Sequence, residues 1–153
     1  MLDRVFEPIC AQDVVAAQTA WIKHVTEQDV DALLDLYDVD DPSAPLQFKP
    51  TLSDVIRTDR AGARAYFVGG DPDYPDDHGF LHHGWKTVDF RSAIGPMQEP
   101  GGLTARDMGQ CFFENGDGDV TQADYTFIYH KVGGRALIAL HHSSLTWCPA
   151  EAD

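Results

Sequence analysis

The sequence is poor in basic residues. Its 11 Lys and Arg stand against 25 Asp and Glu, which gives a formal net charge of −14. The acidic residues are spread along the chain and do not form a tail. Because such a surface repels phosphate backbones and anionic lipid headgroups, we expect neither a nucleic-acid partner nor a membrane partner. The charge sets no such limit on a neutral small molecule.

Cysteine is also scarce, with three residues at positions 10, 111 and 148 and no CxxC spacing. An odd number of widely spaced cysteines predicts neither a disulfide framework nor a structural zinc site. No apolar run approaches the roughly 20 residues that span a bilayer. The N-terminus also lacks a charged region followed by an apolar stretch. We therefore expect a cytoplasmic protein with reduced thiols.

The chain does have enough apolar residues for one core. It is 153 residues long, 43% hydrophobic and 10% aromatic, which suits a single domain over residues 1–153. No repeat, linker or low-complexity segment divides it. One functional site is therefore expected.

The N-terminal part is predicted to be mainly helical. Over residues 11–27, apolar residues recur at three- and four-residue steps, as one buried helix face requires. Asp29 is a residue type that caps a second, short helix, which ends before the prolines of DVDDPSAP. A third helix is predicted over 60–68, and Gly69 suits its end.

After residue 80 the apolar pattern changes to period two. Extended runs near 80–91, 103–114, 119–131 and 135–147 are separated by turns that include NGDG and VGG, whose glycines suit tight antiparallel hairpins. The earlier segment LQFKPT adds an edge or terminal strand that Pro50 ends. This order predicts an α+β fold in which the long first helix covers the concave face of a strongly curved, mainly antiparallel sheet.

Several short motifs between residues 46 and 145 are more specific than this order of elements. They are FKPT at 48–51, AYFVGG at 65–70, DDHGF at 76–80, a Trp at 85 before VDF, DYTFIY at 124–129 and LHHSSL at 140–145. Together they resemble the iota-class carbonic anhydrases. The fold of that family is the cone-shaped one of nuclear transport factor 2 (NTF2-like) and of the association domain of the calmodulin-dependent kinase. The resemblance implies a homodimer that converts CO2 reversibly to bicarbonate.

The same resemblance implies which residues form the site. Metal-free members of the family use a threonine, a tyrosine, a histidine and a serine, which fall here on Thr51, Tyr66 and the His-His-Ser-Ser run at 141–144. No cofactor is therefore expected, and manganese or zinc is the alternative that other members imply. After this run the family usually has Leu-Pro or Met-Pro, whereas Leu145 is followed here by Thr146 and Trp147. We expect that departure to affect the rim of the pocket.

The His-His-Ser-Ser run lies in a predicted strand, where successive side chains point to opposite faces. His141 therefore goes with Ser143, and His142 goes with Ser144. The apolar neighbours favour neither face clearly. We predict that His142 and Ser144 face the site, and the alternative is the face of His141 and Ser143.

Hydration of CO2 requires an activated water and donors for the developing bicarbonate oxygens. His142 is predicted to orient or deprotonate the water, because an imidazole titrates near neutral pH. Thr51, Tyr66 and Ser144 are predicted to hold the water and the bicarbonate by hydrogen bonds. The aromatic residues predicted to line this recess and exclude bulk water are Phe48, Phe67, Trp85, Tyr125 and Phe127.

The histidine pairs do not by themselves predict a metal site. Neighbours on one strand diverge and do not chelate one ion without a bulge. This argument covers the histidines at 141–142 and also those at 82–83. His78, beside Asp76 and Asp77, fits a solvated acidic loop. No metal ligand is assigned.

Two other functions are compatible with the same fold. An isomerase or cyclase would use a carboxylate, such as Asp124, in a deep cavity that admits a bulky substrate. A non-catalytic oligomerisation or binding module would need no chemistry at all. A small cavity dominated by hydroxyls favours the anhydrase over the isomerase. An oligomer larger than a dimer would favour the module.

Overall fold

The computed structural model describes residues 4–149. Three α-helices form in these residues, α1 (Ala11–Thr26), α2 (Val30–Leu34) and α3 (Arg60–Val68). The strands are β1 (Phe6–Glu7), β2 (Gln47–Lys49), β3 (Trp85–Ser92), β4 (Met97–Gln98), β5 (Thr104–Asn115), β6 (Val120–Val132) and β7 (Arg135–Leu145). The predicted α+β class is confirmed.

The strands form one open sheet in the order β2-β7-β6-β5-β3, with β1 paired to β6 and β4 paired to β5. Strands β3, β5, β6 and β7 are antiparallel neighbours, as the short turns between the long extended runs predict. Strand β2 is different, because it joins the edge of the sheet parallel to β7. This pairing brings the end of β2 beside the C-terminal half of β7.

The helix ends follow from their capping residues. The Asp29 carboxylate accepts a hydrogen bond from the Ala32 amide at 3.2 Å, and the Asp59 carboxylate accepts one from the Gly62 amide at 2.7 Å. Both contacts satisfy amides that have no partner within their own helix. Gly69 ends α3 with a φ of 71°, a conformation that glycine adopts without steric cost.

Residues 80–83 differ from the prediction, because they form a 3-10 turn and β3 begins only at Trp85. Phe80 and Leu81 are buried in this turn. A side chain at Gly79 would collide with the His82 ring and approach the Val68 carbonyl. The close contact with the end of α3 therefore favours a turn at residues 80–83. The period-two pattern of the sequence does not reveal such a contact.

Helix α1 lies across the concave face of the sheet and packs on β3 and β7. Its buried face consists of Val14, Ala17, Gln18, Trp21 and Val25. Along β6, Tyr125, Phe127 and Tyr129 point to the same interior. No helix among residues 4–149 is long and apolar enough to cross a membrane.

Candidate functional site

A small cavity lies on the concave side of the sheet, between α1, α3 and the end of β2. The residues that line it are Trp21, Phe48, Thr51, Tyr66, Phe67, Phe80, Phe90, Cys111, Phe113, His141 and Ser143. The volume of this cavity that is open to the centre of a water molecule is about 10 Å³. This is roughly what a single ordered water needs. The wall is mainly aromatic, and polar groups enter it at only a few points.

Two hydroxyl groups meet at this wall. Thr51 Oγ1 and Ser143 Oγ are 2.6 Å apart, although 92 residues separate them in the chain. The parallel pairing of β2 with β7 places Lys49 opposite His142, so Thr51 comes beside the next inward residue of β7. The Lys49 ammonium holds the junction by donating to the Pro50 carbonyl at 2.8 Å and to the Ser143 carbonyl at 3.1 Å.

Tyr66 enters the cavity from α3, where it is buried. Its hydroxyl oxygen accepts a hydrogen bond from the Leu52 amide at 3.2 Å. Burial raises the pKa of Tyr66, so the phenol keeps its proton at neutral pH. That proton is available to an oxygen atom in the cavity. The ring of Phe80 stacks on Tyr66 with 5.4 Å between centroids and holds it in place.

His141 lies on the wall of the cavity with only 6% of its surface exposed. Its ring stacks on Phe127 and Phe48, at centroid distances of 4.2 and 4.8 Å. Its Nδ1 atom is 2.9 Å from the Tyr37 hydroxyl, which also accepts a hydrogen bond from Trp21 Nε1 at 3.0 Å. Burial, aided by the nearby His142, lowers the pKa of His141 to about 3. The imidazole is therefore neutral at physiological pH.

The prediction that His142 and Ser144 face the site is corrected by the structure, which places His141 and Ser143 on the inner face. His142 is exposed and Ser144 is half-buried on the outer face. The cause is a bulge in β7: Ile128 pairs with Leu140 but Tyr129 pairs with Ile138, so Ala139 is an extra residue. Even-numbered residues face inward before the bulge, and odd-numbered residues do so after it.

The predicted aromatic lining is found only in part at the cavity. Phe48 and Phe67 line it. Trp85, Tyr125 and Phe127 are buried behind its wall: Trp85 packs on Phe113 at 5.3 Å, and Phe127 supports His141. The lining residues that the sequence prediction did not include are Trp21, Phe80, Phe90, Cys111 and Phe113. The alternation of apolar and polar residues along a strand predicts that such residues are buried. It does not indicate which of them border a cavity.

Asp124, the carboxylate suggested for an isomerase, lies on the outer face beside Ser144. It accepts hydrogen bonds from Gln110 at 3.1 Å and from Thr146 at 2.8 Å. The altered segment after Leu145 therefore contacts the outer face through Thr146, and Trp147 is exposed. This departure from the usual family sequence lies away from the cavity wall.

A different carboxylate, Asp107, is buried in the interior, and no local pattern of residues predicts it. Its Oδ2 atom accepts hydrogen bonds from Gln18 at 2.7 Å, Ser92 at 2.8 Å and Tyr125 at 2.9 Å. These donors come from α1, β3 and β6. Asp107 thus connects the long helix to the sheet behind the cavity.

No group of three or more metal-binding side chains occurs among residues 4–149. The loop of His78 carries two carboxylates, a group of the type that binds metal ions. One of its carboxylates, Asp77, is instead bound by both terminal nitrogens of Arg57, at 2.6 and 2.7 Å. The cavity lining contains hydroxyls, the His141 imidazole and the Cys111 thiol, so it has fewer nitrogen and sulfur ligands than the three of a usual zinc site.

Two larger cavities adjoin the small one. A cavity of about 390 Å³ shares Thr51 with it, and a cavity of about 210 Å³ shares Tyr66. The first is bordered by Lys49 and several acidic residues, and the second by His78 and His83. The small cavity is therefore bounded by hydroxyl-bearing side chains on the sides that face these outer spaces.

Acidification is expected to destabilise the protein through His141. Its pKa is about 3 in the folded state and returns to about 6.5 on unfolding, so between these values the unfolded chain binds the extra proton. The stabilising contribution is complete above pH 6.5 and is lost as the pH falls towards 3, by up to about 1.4 kcal/mol per pH unit. Between pH 7 and pH 5, the free energy of unfolding measured with urea should fall less for His141→Gln than for the wild-type protein. Equal pH dependence of the two proteins would contradict the burial of a neutral imidazole.

Helices that cover the concave face of a curved, open, mainly antiparallel sheet define an NTF2-like fold. An NTF2-like protein of unknown function from Shewanella oneidensis MR-1 shares this fold with a TM-score of 0.62 and 18% identity, over 87% of this chain and 97% of that chain. The family model of metal-independent carbonic anhydrases matches residues 12–145. The chain belongs to this family.

Two similar proteins agree with that assignment. A metal-independent carbonic anhydrase from Nostoc sp. strain PCC 7120 is 39% identical over 107 residues, or 67% of this chain and 51% of the relative. The chain thus spans about half the length of this curated relative. The crystal structure of a cyanobacterial iota-carbonic anhydrase in complex with bicarbonate has a TM-score of 0.82 and 32% identity, over 97% of this chain and 99% of that chain.

Proposed function

We propose that this protein catalyses the reversible hydration of CO2 to bicarbonate and a proton, without a metal ion. The observation that carries the proposal is the contact of Thr51 and Ser143 hydroxyls at 2.6 Å in a small aromatic cavity that also contains Tyr66 and His141. The family to which the chain belongs supports the same activity. So does the bicarbonate bound to the similar cyanobacterial enzyme.

Each part of the cavity has a role in this reaction. CO2 is linear and weakly polar, so the aromatic wall favours its transfer from water. Thr51 and Ser143 hold the attacking water, because a hydroxyl both accepts and donates hydrogen bonds. The Tyr66 hydroxyl donates to a CO2 oxygen, on which negative charge develops during the attack.

The proton balance is satisfied by the hydroxyl pair. As the water oxygen bonds to the carbon, one C=O π pair moves to the oxygen beside Tyr66 and becomes the bicarbonate charge. A hydroxyl of the Thr51–Ser143 pair accepts the water proton as it passes its own proton onward, so neither side chain becomes charged. The proton then leaves to water in the outer cavity that shares Thr51.

The size of the cavity favours this reaction over the isomerase. Free space of about 10 Å³ for a water centre is far too small for a bulky apolar substrate, and Asp124 lies outside this cavity. A purely structural module is disfavoured, because assembly does not require two hydroxyls in contact in a cavity that also contains an imidazole.

We also propose that the protein is a homodimer that associates through the outer face of the sheet. That face carries Met108, which is 60% exposed, and the half-buried Phe112, Ile128 and Leu140. Apolar side chains on an unpartnered sheet face favour burial against a second copy. Light scattering at twice the 16.9 kDa chain mass would support the dimer, and a larger ring would contradict it.

The activity is tested by stopped-flow CO2 hydration with chelator-treated protein, whose metal content is measured on the same samples. We expect activity that survives chelation. Activity that returns only when manganese or zinc is added would overturn metal independence. No hydration with or without added metal would overturn the enzymatic function of this chain.

A further inference from the structure

The two ring nitrogens of His141 have different surroundings. Nδ1 is 2.9 Å from the Tyr37 hydroxyl oxygen. Nε2 has no hydrogen-bond partner among residues 4–149, although the ring borders the cavity. Nδ1 therefore faces the protein, and Nε2 is the nitrogen left for a molecule in the cavity. The proton of the neutral ring sits on one of these two nitrogens, and its position decides whether His141 donates to that molecule or accepts from it.

The hydrogen bonds of the neighbouring groups determine which ring nitrogen of His141 carries the proton. The indole of Trp21 is only a donor, so at 3.0 Å it donates to the Tyr37 oxygen. The Tyr37 hydroxyl has one proton of its own, and His141 Nδ1 is the one acceptor that it contacts among residues 4–149. If Nδ1 carried the ring proton, the buried Tyr37 proton would have no acceptor, which is a costly arrangement.

We propose that Tyr37, oriented by Trp21, is a positioning residue that keeps the His141 proton on Nε2, so that His141 donates a hydrogen bond to the reacting oxygen. The consequence for turnover rests on the carbonic anhydrase function proposed above. His141 then stabilises the developing bicarbonate charge together with Tyr66. It does not take the proton of the attacking water, which leaves through the Thr51–Ser143 hydroxyls.

The surrounding structure holds Tyr37 firmly enough for this role. Its side chain is 2% exposed and packs on Phe48 with 5.2 Å between ring centroids. The backbone on both sides of Tyr37 is bonded to β7, because Ile138 donates to the Leu36 carbonyl at 2.8 Å and accepts from the Asp38 amide at 2.9 Å. Tyr37 is thus anchored to the strand that carries His141. Burial also raises the pKa of Tyr37, so its proton stays in place.

The experiment is ¹⁵N NMR of the imidazoles combined with CO2 hydration kinetics. The His141 signal among the seven histidines is assigned from its loss in His141→Gln. In the wild-type protein at neutral pH we expect a protonated Nε2 and an unprotonated Nδ1. Tyr37→Phe keeps the ring but removes the hydroxyl, so we expect a mixture of tautomers and kcat lower by about tenfold with little change in KM.

Tyr129→Phe is the matched control, because Tyr129 is equally buried and does not border the cavity. It should leave the His141 tautomer and kcat unchanged. His141→Gln gives a second test if Tyr37→Phe does not fold, since a glutamine amide donates but is not a base. A donor role predicts that His141→Gln retains more activity than His141→Ala.

A wild-type His141 protonated on Nδ1 would overturn the inference, as would an unchanged tautomer in Tyr37→Phe. Equal activities of His141→Gln and His141→Ala would overturn the donor role. The tautomer is measured without turnover, so a wild-type protein that fails to hydrate CO2 would refute the proposed function separately.

Discussion

Ser143→Ala and Thr51→Val are each expected to lower kcat/KM for CO2 hydration by about 100-fold or more while the protein stays folded. Each substitution removes one hydroxyl of a pair whose oxygens are 2.6 Å apart, and valine keeps the shape of threonine. Loss of a single positioned hydrogen-bonding group in a dry site costs on the order of 100- to 1,000-fold in rate. Stopped-flow hydration beside urea unfolding of the same samples measures both effects.

Ser144→Ala is the matched control, since it makes the same change one residue along the strand and on the outer face. Its activity should lie within about twofold of the wild-type value. The double variant at Thr51 and Ser143 should lose little more than either single variant, because residues that act as a unit are not additive. Equal losses in Ser143→Ala and Ser144→Ala would contradict the assignment of the inner face.

Asp77→Ala is expected to lower the free energy of unfolding by about 3–5 kcal/mol, the usual cost of breaking a buried ion pair from one side. Its partner Arg57 is 1% exposed. Asp77 binds both terminal nitrogens of that guanidinium, and the ring of Tyr74 lies 4.1 Å from it. Without Asp77, a buried positive charge is left with neutral partners only. Urea unfolding at pH 7 measures the loss.

Arg64→Ala is the control for the effect of Asp77→Ala on the free energy of unfolding. Arg64 pairs with Asp31 at 3.0 Å, but the two side chains are 49% and 77% exposed. An exposed pair contributes about 0–1 kcal/mol, so a small effect is expected. A loss for Asp77→Ala no larger than that for Arg64→Ala would show that the buried pair is not a main support of this fold.

The same ion pair also supports the site. Arg57 and Phe48 exchange both backbone hydrogen bonds, at 2.7 and 2.9 Å, and so close the segment that carries Thr51. Asp77→Ala should therefore lower CO2 hydration as well as stability. Activity at a temperature where the variant is still folded separates the two effects.

Much of the fold could be predicted from local sequence. The apolar period predicted α1 over 11–27 and the structure has Ala11–Thr26, while α3 has the predicted ends. The capping role of Asp29 and the short turns of the meander were also predictable. Each of these signals depends on residues within a few positions of one another, which a single sequence displays directly.

Of the four predicted site residues, Thr51 and Tyr66 line the cavity, whereas His142 and Ser144 do not. Thr51, Tyr66 and the histidine–serine run were identified by family resemblance. The inward pair was predicted wrongly because alternation along β7 breaks at Ala139, where Tyr129 pairs with Ile138. A bulge is set by pairing with the neighbouring strand, so the residues of β7 alone do not reveal it.

The sequence by itself determined the order of elements, the antiparallel meander and the residue types at the site. Only the tertiary structure decided that β2 pairs parallel to β7, which brings Thr51 to Ser143 across 92 positions. It also decided that Trp21 donates to the Tyr37 hydroxyl, which in turn contacts Nδ1 of His141. Local patterns report which side chains are apolar or capping, whereas strand register and helix packing set which distant groups come within hydrogen-bond distance.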